Sequence, residues 1–204
     1  MDHGVPATVD YAQLDDRELA ARACEGREPA FRELLLRYEK PVFSLVFRMV
    51  RNRETAEDVA QEAFVKAFNA IHTYNPSYRF SNWIFKIANN MAIDRLRKRE
   101  LDTVSIDGAP GADSAQEEQR TSMDLPDRGE TPDAYAENRE LGSQIEGALG
   151  QLRPEYRTAV LLRHVEGHSY QEVSEIMDLP LGTVKTYIHR GRTELKGLLA
   201  EAAV

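Results

Sequence analysis

The chain has 204 residues, of which 42% are hydrophobic and 8% aromatic, a composition that suits one or two compact helical domains and excludes disorder of the whole chain. Its formal net charge of −8 is unevenly distributed, because residues 101–140 carry eleven acids and three bases whereas residues 29–100 carry a net charge of +5. The N-terminus lacks the basic and apolar segments of a signal peptide, and no apolar run could span a bilayer. We therefore expect a cytoplasmic protein that is not itself in the membrane.

Apolar residues recur at helical spacing between residues 15 and 71, which predicts several packed helices. Breaks are predicted at residues 26–29, 40–41 and 52–53, where Gly, Pro or Asn interrupts the pattern. The single cysteine, Cys24, lies in this pattern and is predicted to be a buried small side chain without a disulfide partner. Asn75, Pro76 and Ser77 then predict a turn before the next helix, which should open near Ser81.

The segment from residue 54 to residue 73 has two faces of opposite character. Its predicted core stripe consists of Ala56, Val59, Ala60, Ala63, Phe64, Ala67, Phe68 and Ile71. The opposite side carries Glu57, Asp58, Gln61 and Glu62. The three carboxylates in this set would repel phosphate. Either this face binds a protein, or it is ordinary solvent-exposed helix surface.

Basic, amide and aromatic residues are concentrated between residues 72 and 99. Lys86, Asn90 and Arg97 are spaced to share one helix face, and unpaired bases stack on aromatic rings and bond to amide and basic groups. The predicted contacts to single-stranded DNA are Tyr78, Arg79, Phe80, Trp83, Lys86, Asn90, Arg95, Arg97 and Lys98. For Trp83 and Phe80 a role in the hydrophobic core remains an alternative.

From residue 102 to residue 133 Gly, Pro, Ser and Asp dominate and no periodicity survives, which predicts a flexible acidic linker. Helices are predicted to resume near Ala134, and no segment alternates as a strand would. We therefore predict an all-α protein with an N-terminal extension at 1–14, a first helical domain at 15–101, the linker at 102–133 and a second helical domain at 134–204.

The second domain contains the pattern of a helix-turn-helix. A capping box from Ser169 to Glu172 opens a short helix, and Pro180 follows its predicted end. In the next helix an apolar stripe backs a polar one, and such a helix docks in the major groove of duplex DNA. The predicted DNA contacts are Lys185, Thr186, His189, Arg190, Arg192 and Lys196. The alternative is a basic helix face that is merely solvated.

Catalytic and metal-binding motifs are not found in the sequence. His164 and His168 are four residues apart but have no third ligand beside them, and Gly167 interrupts the helix between them. No phosphate-binding loop or nucleophile motif occurs either. We therefore expect no cofactor, no metal and no enzymatic activity.

Several segments resemble the RNA polymerase sigma factors of the extracytoplasmic function (ECF) class. They are Arg53-Glu-Thr-Ala-Glu-Asp-Val-Ala-Gln-Glu-Ala-Phe64, Phe80-Ser-Asn-Trp-Ile-Phe-Lys-Ile-Ala-Asn-Asn90, Asp94-Arg-Leu-Arg97, Leu152-Arg-Pro-Glu-Tyr-Arg-Thr-Ala159 and Gly182-Thr-Val-Lys-Thr186. By this resemblance the first domain would be sigma region 2 and the second would be region 4. Tyr187 stands where many relatives have Arg, which affects the expected sequence preference but not the docking mode.

The resemblance implies partners and residue roles. Asp58, Gln61 and Glu62 would dock on the β' clamp helices of core RNA polymerase, and the β flap would be a further contact. The loop before Phe80, together with Asn90 and its neighbours, would open the −10 element and capture a flipped base. The basic residues from Lys185 onwards would bind the −35 element as duplex DNA. An anti-sigma factor is the expected regulator.

Two other classes of protein stay open on the sequence alone. A response-regulator or quorum-sensing transcription factor can end in a similar helix-turn-helix, but its N-terminal half should show an α/β domain. A nucleic-acid-processing enzyme would need a carboxylate cluster near the basic helix, where only Asp94 stands. For the linker two interpretations stay open: either it follows the RNA path through polymerase, as the resemblance implies, or it is a plain solubilising tether.

Overall fold

A computed structural model describes residues 9–106 and 132–202, with the side chains of residues 9–99 and 140–202. Within these residues the regular structure is helical throughout, which confirms the predicted all-α class. Two single-turn 3-10 helices occur at Tyr11–Gln13 and Ile71–Thr73. The α-helices are α1 (Asp16–Cys24), α2 (Glu28–Val50), α3 (Arg53–Ala70), α4 (Phe80–Ile106), α5 (Pro132–Gln151), α6 (Pro154–His164), α7 (Tyr170–Met177) and α8 (Leu181–Ala202).

Helices α1 to α4 form the first domain, in which α2, α3 and α4 pack on one another. Two of the predicted breaks are present, since Gly26 has a φ of +81° between α1 and α2, and Asn52 caps α3 by accepting a 2.8 Å hydrogen bond from the Thr55 amide. The break predicted at residues 40–41 is wrong, because α2 continues through Pro41. Fully buried Leu34 and Val42 on either side of it share one core, and this packing outweighs the local cost of proline.

Three further expectations differ from the structure in detail. Cys24 is exposed at the end of α1, where its thiol donates a 3.2 Å hydrogen bond to the Ile71 carbonyl. Phe68 stands at the edge of the predicted α3 core stripe and is 49% exposed, although its ring meets that of Phe31. Helix α4 extends to Ile106 and α5 starts at Pro132, so both helices reach into the predicted linker, whose remaining residues, 107–131, lie outside the described part of the chain.

Helices α5 to α8 form the second domain, and α7 and α8 make the predicted helix-turn-helix. Ser169 and Glu172 form the reciprocal capping box at the start of α7. Asp178 ends α7 in a left-handed conformation with a φ of 56°. The predicted apolar stripe of α8 faces inward, with Val184, Ile188 and Gly191 buried. Gly191 is needed for this approach, because a Cβ atom there would lie 2.8 Å from a methyl group of Val160.

The two domains share a continuous apolar core, and α2 and α4 carry the first domain's side of the contact. One part of the contact centres on Arg157, which is only 7% exposed. Its guanidinium donates to the carbonyls of Leu149, Gly150 and Leu152 at the end of α5 and to the carbonyl of Met49 near the end of α2. A cation is favoured at the carbonyl ends of helices, so Arg157 joins two helix termini from different domains. Burial and the nearby Arg51 lower the pKa of Arg157.

Candidate nucleic-acid interface

The basic face of α4 lies along the first domain, and the structure separates its predicted residues into exposed and buried ones. Tyr78 is 52% exposed, and the side chain of Arg79 is 77% exposed. The remaining exposed members are Asn90, Arg95, Arg97 and Lys98, and Lys86 is partly exposed. Seven of the nine predicted residues therefore reach the surface of α4 or its preceding loop, with Trp83 half-buried beside them.

Phe80 is the exception, because its ring is 2% exposed and belongs to the core. It packs against Tyr38, Tyr74 and Trp83, with ring centroids 5.5 to 5.7 Å apart. This corrects the prediction that Phe80 contacts DNA. The ring instead supports the loop that carries Tyr78, whose carbonyl accepts a 2.7 Å hydrogen bond from the buried Tyr74 hydroxyl.

A shallow cleft beside this aromatic cluster contains a residue that the sequence analysis did not single out. Lys66 of α3 lines it together with Trp83, Lys86, Ile87 and Asn90 of α4. The cleft thus combines an aromatic edge, an amide and two cations, which is the combination that favours an unpaired nucleotide. Lys66 could not be assigned from sequence because it lies on a different helix, and only the packing of α3 on α4 places it here.

Acidic residues of the second domain lie against the first part of the same α4 surface. Glu172 contacts Arg79 at 3.1 Å, and Asp178 contacts Lys86 at 3.3 Å. Between them the amide nitrogen of Asn82 donates a 2.9 Å hydrogen bond to Glu175. Sequence reasoning missed these contacts because they join residues about ninety positions apart.

The centre of this contact is apolar and buried. The rings of Phe85 and His168 meet edge to face, with centroids 5.1 Å apart, and are 3% and 8% exposed. Burial lowers the pKa of His168. The charge of Glu172 acts in the opposite direction, and the charge of Arg79 lowers the pKa further. Burial alone would raise the pKa of Glu172, but hydrogen bonds from Ser169 and the charge of Arg79 lower it. The α7 carboxylate is therefore held in its charged form beside the basic face.

The polar face of α8 differs from that of α4, because all six predicted residues are exposed: Lys185, Thr186, His189, Arg190, Arg192 and Lys196. Helix α6 packs behind α8, and the Tyr156 hydroxyl lies 3.4 Å from the Arg190 guanidinium. Thr186 donates its hydroxyl hydrogen to the Gly182 carbonyl at 2.9 Å, so its oxygen remains available as an acceptor. In a helix-turn-helix the exposed second helix enters the major groove of DNA. Helix α8, which follows the capped helix α7, has this geometry.

The acidic face of α3 lies on a third surface. Asp58, Gln61 and Glu62 are exposed there, and Glu57 forms a 2.9 Å ion pair with Arg53 one turn earlier. The residues between them, Val59, Ala60 and Ala63, are buried. The two-faced pattern predicted for this helix is thus present, with its acidic side chains exposed.

Within residues 9–106 and 132–202 no group of three or more His, Cys, Asp or Glu side chains is placed to hold a metal ion. None of the helices in these ranges has the length and apolar character that a bilayer span requires. The described surfaces are those of an all-α, two-domain nucleic-acid-binding protein that carries a helix-turn-helix.

Comparison with known proteins defines the class more closely. The model of sigma-70 region 2 matches residues 34–101, and that of sigma-70 region 4 matches residues 143–195. The chain is 33% identical to the ECF RNA polymerase sigma factor SigW of Bacillus subtilis, over 87% of this chain and 92% of that protein. It is also 33% identical to the ECF RNA polymerase sigma-E factor of Escherichia coli, over 88% of this chain and 92% of that protein.

A solved structure shows the same fold. The sigma factor RpoE of Bartonella quintana, in a co-crystal with the anti-sigma factor NepR, superposes with a TM-score of 0.64 and 22% identity, over 83% of this chain and 96% of that chain. The chain belongs to the ECF family of RNA polymerase sigma factors. This confirms the resemblance drawn from the sequence, and it disfavours the response-regulator or quorum-sensing alternative.

Proposed function

We propose that this chain binds core RNA polymerase and directs it to promoters, where it recognises and opens the DNA for initiation of transcription. The observation that carries the proposal is the presence of two different basic surfaces in one chain, the α4 surface with its aromatic cleft and the exposed α8 face. The first has the chemistry of a single-strand site, and the second has the geometry of a duplex site. Promoter opening needs both.

The −10 element would be held by the first domain. Tyr78, Arg79, Trp83, Lys86, Asn90, Arg95, Arg97 and Lys98 form the proposed contact surface, and Lys66 is added to it from the cleft geometry. Phe80 supports this surface from beneath. The exposed Tyr78 ring and the cleft beside Trp83 offer two places for an unstacked base, and aromatic stacking contributes about 1–3 kcal/mol per base.

The −35 element would be held by the second domain as duplex DNA. Lys185, Thr186, His189, Arg190, Arg192 and Lys196 lie on the accessible side of α8. Lys and Arg there can bond to guanine edges or phosphates, and each base-specific pair is worth about 1–3 kcal/mol of discrimination. Phosphate contacts make such binding fall steeply with rising salt concentration.

Core polymerase would bind to surfaces of the chain that do not contact DNA. Asp58, Gln61 and Glu62 are the proposed contacts to the β' clamp helices, since their exposed acidic face repels phosphate and suits a protein. The β flap is proposed as a second contact. Synthesis itself would be the work of the polymerase, so we propose that the chain is a binding protein without catalytic activity or cofactor, and that it acts in the cytoplasm.

An anti-sigma factor is proposed as the regulator of this chain. The support is indirect: the Bartonella quintana sigma factor with the same fold was solved with an anti-sigma factor bound. Such a partner would cover the acidic α3 face and the α8 face, because both are exposed in this chain.

Run-off transcription on genomic DNA fragments tests the proposed function. Purified core RNA polymerase from the source bacterium is supplied with or without the full chain, and transcript 5′ ends are mapped. We expect discrete start sites only with the chain present, and weaker use of them with Asn90→Ala. Lys40→Ala, on an exposed part of α2, is the control and should leave start-site choice unchanged. The same start sites with core polymerase alone would refute the proposal.

A further inference from the structure

The loop of residues 74–79, which precedes α4, is held at both ends by helices α1 and α2. Residues 9–24, which contain a 3-10 helix and α1, are called the N-terminal segment below. Helix α1 contacts the short helix at Ile71–Thr73, directly before the loop. The sigma-70 region 2 model matches this chain only from residue 34 onwards, so the N-terminal segment lies outside the match.

At the start of the loop the contact comes from the end of α1. The Cys24 thiol donates a hydrogen bond to the Ile71 carbonyl, which also accepts a 3.0 Å hydrogen bond from the Tyr74 amide. Tyr74 is buried, and its hydroxyl donates in turn to the Tyr78 carbonyl. The backbone of the loop is therefore connected to the end of α1 by these hydrogen bonds.

At the end of the loop the contact comes from the start of α1 and passes through Tyr38 of α2. The Tyr38 hydroxyl donates a hydrogen bond to one carboxylate oxygen of Asp16. The other oxygen accepts a 2.9 Å hydrogen bond from Arg37, whose guanidinium also donates to the Ala12 carbonyl. The Tyr38 ring lies 5.5 Å from that of Phe80, the first residue of α4. Asp16 thus fixes the Tyr38 side chain against the residue that follows the loop.

The Tyr38 hydroxyl is enclosed between α1 and the start of α4. Burial and the Asp16 carboxylate raise the pKa of Tyr38, while the Ser81 hydroxyl and Arg37 act in the opposite direction. The hydroxyl therefore stays protonated at neutral pH and remains a donor to Asp16. Ser81 follows Phe80 in the chain, so the link from Asp16 through Tyr38 reaches the first two residues of α4.

The hydrogen bonds inside the loop are local. The Asn75 side chain accepts a 2.9 Å hydrogen bond from the Ser77 amide, and the Asn75 carbonyl accepts one of 3.1 Å from the Tyr78 amide. Such bonds shape a turn but do not orient it relative to the helices around it. The contacts through Tyr74 and Tyr38 supply that orientation. The direction of the exposed Tyr78 ring therefore depends on residues outside the loop.

We infer that the N-terminal segment is a brace for the loop of residues 74–79, and that Asp16 and Tyr38 are positioning residues for binding of the −10 strand. The inference rests on the proposed function, since it assigns this loop to the −10 strand. Neither residue has to touch DNA, because each acts by holding Tyr78 and Arg79 beside the cleft at Trp83. A loop that adopts this conformation only part of the time binds a strand more weakly, in proportion to that fraction.

The first test variant is Tyr38→Phe, which removes the hydroxyl and keeps the ring in place. The ion pair between Arg37 and Asp16 remains in this variant. Tyr170→Phe is the matched control, because it also removes one hydroxyl from a half-buried ring, which packs under Arg163 in the second domain.

The second test variant, Asp16→Ala, removes the acceptor from the other side of the link. Its control is Asp15→Asn, which removes the same charge one residue earlier. An asparagine at position 15 can still cap α1 by accepting the hydrogen bond of the Glu18 amide. Thermal unfolding confirms that each variant is folded. If Asp16→Ala does not fold, Tyr38→Phe, which loses a single oxygen atom, still decides the question.

Two properties of the full chain are measured, both well below the unfolding temperature. Trp83 is the single tryptophan of the chain and packs on Tyr74 with ring centroids 5.6 Å apart, so quenching of its fluorescence by acrylamide reports the packing of the loop. The second property is the affinity for a labelled single strand from the −10 region of a promoter that the chain uses in run-off transcription. Affinity for the −35 duplex of the same promoter is the internal reference.

We expect Tyr38→Phe and Asp16→Ala to bind the strand about three- to tenfold more weakly than their controls, as loss of one hydrogen bond from the brace allows. Acrylamide should quench Trp83 more strongly in both, and affinity for the duplex should stay unchanged. A residue that contributed only to global stability would lower the unfolding temperature and alter neither the quenching nor the strand affinity.

The brace is overturned if Tyr38→Phe matches Tyr170→Phe in strand affinity or in Trp83 quenching, or if affinity for the duplex falls in parallel with affinity for the strand. Because the strand comes from a promoter that the unsubstituted chain already uses, any of these results leaves the proposed function standing. Failure of run-off transcription with the unsubstituted chain would instead remove the proposed function.

Discussion

The two basic helices of this chain differ in how much of their surface is free. Helix α8 packs on one side only, so its predicted DNA contacts are all exposed. Helix α4 packs against α2, α3 and α7, and its first turns carry both core residues and charged residues paired with the second domain. A basic helix face is therefore an accessible binding surface only where its neighbours leave it uncovered.

The difference follows from the position of each helix in the fold. Helix α4 lies at the centre of the contact between the domains, where Ile84, Phe85 and Ala88 are buried. In helix α8 the buried residues are Val184, Ile188 and Gly191, and the polar residues on the other side of the helix are exposed.

Loss of the Arg157 side chain should destabilise the chain more than any other substitution considered. Arg157→Ala should lower the free energy of unfolding by about 3 kcal/mol, because the carbonyls of α5 and α2 lose a charged donor in a buried place. Urea denaturation followed by circular dichroism measures it. Arg153→Ala, on an exposed residue of the same segment, should change stability by less than about 0.5 kcal/mol. Equal effects of the two substitutions would contradict the role given to Arg157.

The two DNA surfaces should respond separately to loss of one cation. Lys185→Ala is expected to weaken binding of −35 duplex by about 1–3 kcal/mol if Lys185 contacts a base, and to leave single-strand binding unchanged. Lys86→Ala should weaken binding of the single strand and leave binding of the −35 duplex unchanged. Fluorescence anisotropy at several salt concentrations compares them. Parallel losses on both probes in both variants would mean that the chain has one undivided DNA surface.

Packing behind the α8 face can be tested with two glycines of the same helix. Gly191→Ala should cost about 1–3 kcal/mol of stability, because its Cβ would lie 2.8 Å from Val160 and 3.2 Å from the Tyr156 carbonyl. A Cβ atom at Gly197 would meet no neighbouring group within 4 Å, so Gly197→Ala should stabilise the chain by up to about 1 kcal/mol. Thermal denaturation distinguishes them. A stabilising Gly191→Ala would show that α8 does not pack closely on α6.

The smallest expected effect is a dependence of stability on pH through His168. Because burial lowers its folded pKa below the ordinary value of 6.5, the unfolded chain takes up the proton first as pH falls. The His168 contribution is therefore complete above pH 6.5 and is lost as pH falls below it. The groups facing His168 are Glu172, Arg79 and Phe85.

The measurement for His168 is the free energy of unfolding at pH 7.5 and pH 5.5. The loss on acidification should be smaller in His168→Gln than in the unsubstituted chain. His164 has a lowered pKa as well, from burial and from Arg192 and Arg163, so His164→Gln is the matched comparison outside the domain contact. An unchanged pH dependence in His168→Gln would contradict the buried, neutral state of this ring.

Local patterns in the sequence predicted the elements whose signals are themselves local. The capping box at Ser169, the apolar stripe of α8 and the acidic face of α3 all follow from residues a few positions apart. The continuous α2 could not be predicted, because the packing that tolerates Pro41 comes from other helices. Burial of Phe80, the position of Lys66 and the pairing of Asn82 with Glu175 likewise depend on contacts between helices distant in sequence.

The most direct test of the contact between the two domains is one distance measured in two states. The chain carries dyes on Asn69→Cys and Ala200→Cys, both exposed positions, in a Cys24→Ala background. Single-molecule energy transfer is measured for this chain alone and then bound to core polymerase on a promoter fragment. We predict higher transfer for the free chain than for the promoter complex, because the domains are packed together in the free chain. The same transfer in both states would contradict the account.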